Sequence, residues 1–418
     1  MKVYQGSKNQ VNKDNLCVID PHALLSVASK GLLSLSVNLG MEVLHQIFEA
    51  DVTELAGPKG KHQKDRKAYR HGTEKSRVVL GGEKVPIKKP RVRSVAGEEM
   101  TLESLDFFQQ EDPLNEAVIT RLLSGVSTRK YARTLDVRVE DASCLSKSEV
   151  SRRFSAGLQA QMETFFSRPL EDDYPVIFMD GLTLGKMTVV AAMGIRVDGQ
   201  KRMLGLIEGG SENSEMVKEL LADLLKRGLK KEEPRLYVLD GSKALYKAVK
   251  DTFGEKAIIQ RCQVHKKRNV LSHLPESEKA KVSLAMSLAY REHDYDKAKV
   301  ALEQLADRLE SRYPSAASSL REGLEESLTV HRLKLPGLLR QTLSSTNTIE
   351  SANAACAGVL RRVSHFRDGK MTLRHAAAGF LEAERGFRRI KGYKEIPFLL
   401  HNLDLLTTTG NWDILASA

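Results

Sequence analysis

Two short apolar runs end in Asp-Gly: "PVIFMDG", from Pro175 to Gly181, and "LYVLDG", from Leu236 to Gly241. A third carboxylate, Glu350, stands in "STNTIESANA", 110 positions after Asp240. Carboxylate oxygens are the ligands of a hard cation such as Mg²⁺, which keeps several waters when so bound. Two such ions about 3.5–4 Å apart can clamp the attacking and leaving oxygens of a phosphodiester displacement. Asp180, Asp240 and Glu350 are therefore candidate metal-binding and catalytic residues. Asp-Gly between apolar runs is also a tight-turn signal, and a strand should then follow within two residues. After Asp240 the helical "SKALYKAVKD" follows instead, so the turn reading fails there. After Asp180, "LTLGKMTVV" continues as strand, so Asp180 can be turn and ligand at once.

Cys262 and His265 in "RCQVHKKRN" have the spacing of half a zinc site. No complementary Cys/His pair stands at the usual distance, which argues against zinc. A histidine beside a metal pocket could instead contact a scissile phosphate or move a proton. Lys266, Lys267 and Arg268 directly after it suit a nucleic-acid backbone. The four cysteines, Cys17, Cys144, Cys262 and Cys356, show no paired spacing, against a disulfide framework or a zinc ribbon. A phosphate loop and a dinucleotide fingerprint are both missing, so no nucleotide cofactor is expected.

The elements that must position these groups read as β and α in alternation. "PVIFMDG", "KMTVVAAMGIRV" and "QKRMLGLIEGG" are three strand-like runs. The helix "SEMVKELLADLLKRG" follows, with Ser214 as its cap, then "PRLYVLDG" as strand, "SKALYKAVKDTFG" as helix and "KAIIQRC" as strand. The order βββαβαβ predicts a mixed sheet buried by helices. In a ribonuclease H-like sheet the central first strand and the neighbouring fourth strand end in one crevice, where Asp180 and Asp240 would share a metal ion. "SSTN" supplies cap residues for a helix running to about Arg362, which would bring Glu350 beside the sheet. Asn347, Arg361 and Arg362 on that helix are candidate DNA contacts. Residues 266–345 read as wholly helical and charged.

The net charge is +11, from 65 basic and 54 acidic residues. Lys59 to Arg93 alone holds 13 Lys/Arg against 3 Asp/Glu, a balance of +10. Such density is the footprint of a phosphate-backbone binder, with Lys88, Lys89, Arg91 and Arg93 as contacts. The plain alternative is a solvated basic linker. Gly81-Gly82 between two β-rich runs favours an ordered hairpin. Leu24 to Leu55 is helical in pattern, and Gly57-Pro58 ends it. Further on, "DPLNEAVITRLLSGVSTRKYARTLDVR" and "LSKSEVSRRF" read as helix, turn and helix, with a Ser146–Glu149 capping box. Lys147, Arg152 and Arg153 would then face DNA as in a helix-turn-helix, unless the segment is a plain bundle with a polar face. A chain of 418 residues implies two to four domains. No apolar run reaches the roughly 18 residues of a membrane span, and the start lacks the core of a signal peptide, which predicts a cytoplasmic protein.

Taken together and in order, "VIFMDG", "VLDGSKAL", "RCQVHKKRNV" and "STNTIESANA" resemble the catalytic motifs of DDE transposases of the Mutator-like bacterial insertion-sequence family. "YRHGTEKSRVVLGGEKVPIKKPRVR" and "GVSTRKYA…LSKSEVSRRF" resemble its N-terminal segments. The resemblance implies an α/β, ribonuclease H-like catalytic domain (169–265 and 346–418) interrupted by an all-helical insertion (266–345). Ahead of it would lie an N-terminal helical region (1–57), a basic hairpin segment (58–112) and a helix-turn-helix-like region (113–168). It further implies Asp180, Asp240 and Glu350 as the metal-binding triad, with Cys262 and His265 as the Cys-x-x-His signature. The cofactor would be Mg²⁺, with Mn²⁺ as substitute. The partners would be double-stranded DNA, as terminal inverted repeats and target, and a second copy of the chain, acting at the nucleoid. Two alternatives keep the fold: a nuclease without strand transfer, and a DNA-binding regulator. The only tryptophan is Trp412, outside the insertion, so DNA-hairpin chemistry is not supported.

Overall fold

Four-residue spacing of Leu44, Phe48, Val52 and Ala56 places all four on one buried face of helix α1 (40–56). A computed structural model of the chain describes residues 40–61, 68–80, 83–110, 147–209, 213–361, 363 and 365–417. They fall into two compact units, Met1–Val118 with Val126–Arg153, and Ile119–Gly125 with Phe154–Ala418.

In the first unit, β1 (Ala68–Leu80) and β2 (Glu83–Ser94) form the antiparallel hairpin that the glycine pair predicts. Their register runs from Leu80 opposite Glu83 to Ala68 opposite Ser94, and slips between Arg70 and Thr73. Gly72, at φ +82°, sits in that slip, where a bulge needs left-handed backbone. The short strand β3 (Glu99–Met100) extends the sheet, and helix α2 (Glu103–Gln110) follows. Ala68, Val78, Ile87 and Val92 pack with the α1 face and with Leu102 and Leu105 into one core. Asp51 of α1 accepts hydrogen bonds from the Ser104 backbone (3.1 Å) and hydroxyl (2.5 Å), fixing α2 to α1.

Helix α3 (Lys147–Ser167) carries the chain into the second unit. The Ser146 end of the expected capping box and the first helix of the expected helix-turn-helix lie outside the described residues. So do the side chains of Lys147, Arg152 and Arg153, and the whole of Arg362.

The expected βββαβαβ order is present. β4 (Val176–Leu184), β5 (Met187–Ile195) and β6 (Lys201–Gly209) are antiparallel neighbours. Helix α4 (Ser214–Lys226) leads to β7 (Arg235–Leu239), and α5 (Lys243–Phe253) leads to β8 (Ala257–Arg261). The cap of α4 is Asn213 rather than Ser214; its side chain accepts from the Met216 N–H at 2.8 Å. The sheet order is β6-β5-β4-β7-β8, with β7 parallel to β4 and β8 parallel to β7. Alternation along β4 sends Val176 and Phe178 to one face and Ile177 and Met179 to the other. Helices α4 and α5 cover the second face. Burial on both sides explains why β4 reads as a continuous apolar run.

An all-helical stretch follows β8, as expected, but it starts three residues earlier, at Gln263. It comprises α6 (Gln263–Ser272), α7 (Glu276–Arg291), α8 (Tyr295–Glu310), α9 (Pro314–Arg321), the short α10 (Leu324–Ser327) and α11 (Thr329–Arg332), and α12 (Gly337–Leu343). Val270, Val282, Met286, Leu302, Leu305 and Leu320 give it a core of its own. Buried glutamines join it to the sheet. Gln260 and Gln263 donate to the Ser327 carbonyl at 2.9 and 2.8 Å, and Gln260 accepts from the Val330 N–H at 2.9 Å. Then α13 (Asn347–Leu360) returns to the first sheet face, where Ile349, Ala352 and Cys356 meet Phe178 and Val238 in one core. Helices α14 (Gly369–Glu384) and α15 (Ile396–Thr409) complete that layer.

Candidate active site

The parallel register of β4 with β7 ends at Met179 opposite Leu239, so Asp180 and Asp240 are the next residues on adjacent strands. By alternation each follows Phe178 or Val238 onto the face that α13 covers. Their backbones differ. Asp180 does not close its strand and is no turn residue: β4 runs on to Leu184, with Asp180 opposite Ala191, and Gly185 makes the turn at φ +65°. At Asp240 the strand does stop. Its carboxylate accepts from the Ser242 N–H at 2.8 Å, Gly241 takes φ +107°, and Ser242 caps α5.

Asp180 is 7% exposed and accepts a hydrogen bond of 2.8 Å from the Asn353 side chain of α13. Burial, then the charges of Asp240 and Glu350, push its carboxyl up to about 7, with His265 acting the other way. The three carboxylates therefore share one field. They do not form one tight ligand sphere. Among the described residues, the group of His, Cys, Asp or Glu side chains with ligand atoms within 4.8 Å of one another is Cys262, His265 and Glu350. The donor chemistry nevertheless suits a hard cation: three oxygen ligands repel one another, and the buried Asn353 Oδ1 beside them lacks a partner.

Glu350 lies in the first turn of α13, behind its cap residue Thr346. The Thr346 hydroxyl is 2.6 Å from Glu350 Oε1 and 3.3 Å from both Cys262 Sγ and His265 Nδ1. A hydroxyl has one proton, and the shortest contact directs it to Glu350. Cys262 caps α6 and accepts from the backbone N–H of His265 at 3.5 Å and of Thr346 at 3.3 Å. Burial raises its thiol, but hydrogen bonds from His265 and Thr346 together outweigh burial and hold it below its usual value. The hydrogen bond with Cys262, against burial, raises His265, and the charges of Cys262, Glu350 and Asp240 add to this. His265 Nδ1 stands 3.7 Å from Glu350 Oε1. Asn353 escaped the sequence reading and Thr346 entered it only as one of the candidate caps; the only further signal was their place at i+3 and i−4 from Glu350 on a helix.

Lys266 is a correction. It was expected against DNA, yet it is fully buried, and its ammonium donates to the carbonyls of Ser319 and Glu322. Burial, with Arg261 nearby, lowers it to about 8. The reason is helical periodicity: Lys266 faces the core of the helical stretch, whereas Arg268 and Asn269 turn outward. Lys267 is half-buried and donates to Ser287 at 3.1 Å. It borders a cavity of about 490 Å³ with Arg291, Arg340, Tyr290, His331 and Asn347. Acidic residues are missing from that lining. His331 is buried, hydrogen-bonded to the Tyr290 carbonyl at 3.1 Å, and held near 4 by burial, hence neutral. Arg361 is exposed at the end of α13.

On the hairpin, Lys88 is exposed and Lys89 half-buried. Arg91 is engaged within its own sheet, with two contacts of 2.7 Å to Glu99. Arg93 is half-buried, and its Nε lacks a partner. Among the described residues no helix is long and apolar enough to cross a membrane.

The sequence profile described as "Transposase, Mutator family" matches residues 22–389. The chain is 30% identical over 323 residues to the transposase for insertion sequence element ISRM5 of Rhizobium meliloti, covering 74% of this chain and 78% of that protein. It is 29% identical over 248 residues to the transposase for IS6120 of Mycolicibacterium smegmatis, covering 58% and 75%. To the transposase for IS256 in transposon Tn4001 of Staphylococcus aureus it is 27% identical over 335 residues, covering 76% and 82%.

Proposed function

Because the chain belongs to the Mutator family of transposases, we propose that it binds the terminal inverted repeats of an insertion sequence, cleaves their phosphodiesters and joins the freed 3′-hydroxyls to target DNA. The observation that supports this most is the convergence of Asp180, Asp240 and Glu350, from two adjacent parallel strands and one helix, in a single electrostatic field. The strand order β6-β5-β4-β7-β8, antiparallel on one side and parallel on the other, supports a ribonuclease H-like catalytic fold.

Asp180, Asp240 and Glu350 would hold Mg²⁺, or Mn²⁺ in its place, which would activate the attacking oxygen and stabilise the leaving one. Asn353 orients the Asp180 carboxylate, and Thr346 orients that of Glu350. His265, raised above its usual range, holds a proton at Nδ1 within reach of Glu350 and of a phosphate placed there. Lys267 and Arg291 in the adjacent cavity, with Arg268 and with Lys88 on the hairpin, contact the DNA backbone. Hydrolysis adds water across a phosphodiester, and strand transfer exchanges one phosphodiester for another. No nucleotide is consumed in either. Two copies of the chain act together, one at each element end.

The test uses labelled DNA carrying the element ends. Asp240→Asn should bind these ends like the parent in a gel shift and lose cleavage. Cleavage at the parent rate by this variant would sink the assignment. Supplying pre-cleaved ends with a target plasmid separates transfer from simple nuclease action: joined products are expected, and unjoined ends would leave a nuclease.

A further inference from the structure

We propose that Cys262 Sγ, His265 Nδ1 and Glu350 Oε1 form a site for a borderline-soft divalent cation, foremost Zn²⁺. Sequence spacing alone offers only half a site, because Cys262-x-x-His265 has no second Cys/His pair nearby. The fold supplies the missing ligand from Glu350, 85 residues after His265. The three ligand atoms lie within 4.8 Å of one another.

Tetrahedral zinc has bonds of about 2.0–2.3 Å, which set neighbouring ligand atoms about 3.3–3.6 Å apart. His265 Nδ1 and Glu350 Oε1 are 3.7 Å apart. Thr346 Oγ1 is 3.3 Å from the sulfur, 3.3 Å from the imidazole nitrogen and 2.6 Å from the carboxylate oxygen. The 2.6 Å contact is a hydrogen bond, so the hydroxyl borders the site and orients the carboxylate, and a water would fill the fourth corner. The corners are held by two helix starts. Cys262 and His265 begin α6, Thr346 and Glu350 begin α13, and the Gln263 N–H bonds the Ser344 carbonyl at 2.9 Å between them. A thiolate–imidazole–carboxylate set selects zinc or cobalt over magnesium, whose preference is for oxygen alone.

Zn²⁺ bound here engages the Glu350 carboxylate that the Asp180–Asp240 pair would also use, so it competes for that group and inhibits DNA cleavage; this consequence, though not the site, rests on the transposase reading.

The experiment titrates the full chain with Co²⁺, without DNA or Mg²⁺. A thiolate-to-cobalt charge-transfer band is expected, saturating at one ion per chain and bleached by Zn²⁺. Cys262→Ser should abolish the band. Glu350→Gln should weaken Zn²⁺ binding at least about tenfold against a chromophoric chelator. Glu350 is only half-buried, so this second variant keeps the test decisive if the buried Cys262 variant fails to fold. Asp240→Asn should bind Co²⁺ like the parent. A missing band, a band that survives in Cys262→Ser, or unchanged Zn²⁺ affinity in Glu350→Gln overturns the site. An intact band with full cleavage in saturating Zn²⁺ overturns the inhibition. If Asp240→Asn cleaves normally, the assignment of the carboxylate triad falls and the zinc site stands.

Discussion

The Thr346 hydroxyl lies 2.6 Å from the Glu350 carboxylate, four residues on along the same helix, and so ties the orientation of Glu350 to the cap of α13. Thr346→Val keeps the side-chain shape and removes the hydroxyl. Loss of an orienting partner of this kind typically costs 10–100-fold in activity. End cleavage should drop by about that factor while DNA affinity holds. Unchanged cleavage would show the contact to be idle.

Asp180 carries a pH signature. Its carboxyl is lifted to about 7 in the fold, by burial first and then by Asp240 and Glu350, against an ordinary value of 3.8. The folded state thus holds a proton that the unfolded chain gives up. The stability this confers is complete below the unfolded value and is lost as pH rises through about 7. The Asp180 contribution to the Tm of the metal-free protein should therefore decline from about pH 4 to about pH 7 and level off above that, and Asp180→Asn should flatten that decline. Mg²⁺ binding should release close to one proton at about pH 6 and almost none at about pH 8.5, read by calorimetry in two buffers of different ionisation enthalpy. Equal release at both pH values contradicts the assignment.

Lys266 and Arg268 are two positions apart and should behave in opposite ways. Lys266→Met strands the Ser319 and Glu322 carbonyls inside the helical stretch, at a cost of about 1–3 kcal/mol of stability by denaturant melting. Its effect on the salt dependence of DNA binding should be nil. Arg268→Ala should leave stability within about 0.5 kcal/mol and reduce the salt slope by about 0.9. A reversed pattern would mean that Lys266 leaves its cage to meet DNA.

On the hairpin, Lys88→Ala should likewise lower the salt slope by about 0.9, because the residue is exposed. Arg91→Ala breaks the two-pronged contact with Glu99 and should act mainly on the hairpin itself, with a smaller change in slope. Equal slopes for both variants would place Arg91 on the DNA.

The sheet was legible from sequence because burial on two faces leaves a plain mark: runs such as "VIFM" and "LYVL" stay apolar when both sides are covered. Short helices between them, with their own periodicity, complete βββαβαβ. The helical stretch after β8 was legible for the same local reason. Asp-Gly was not. The two copies are identical as dipeptides, yet Asp180 continues a strand paired to Ala191, while Gly241 at φ +107° turns the chain into a capped helix. The difference lies in whether an antiparallel neighbour extends past the aspartate, and β5 does so only for β4. Likewise, a charge on Lys266 says nothing about whether two carbonyls some fifty residues on will enclose it. Sequence alone therefore determined the elements and the carboxylates, since each rests on contacts or chemistry local to its own segment. Tertiary structure alone decided which of those groups meet. Thr346, Asn353 and Glu350 reach Cys262, His265 and Asp180 only because α13 returns to the sheet beyond a helical stretch that has a core of its own.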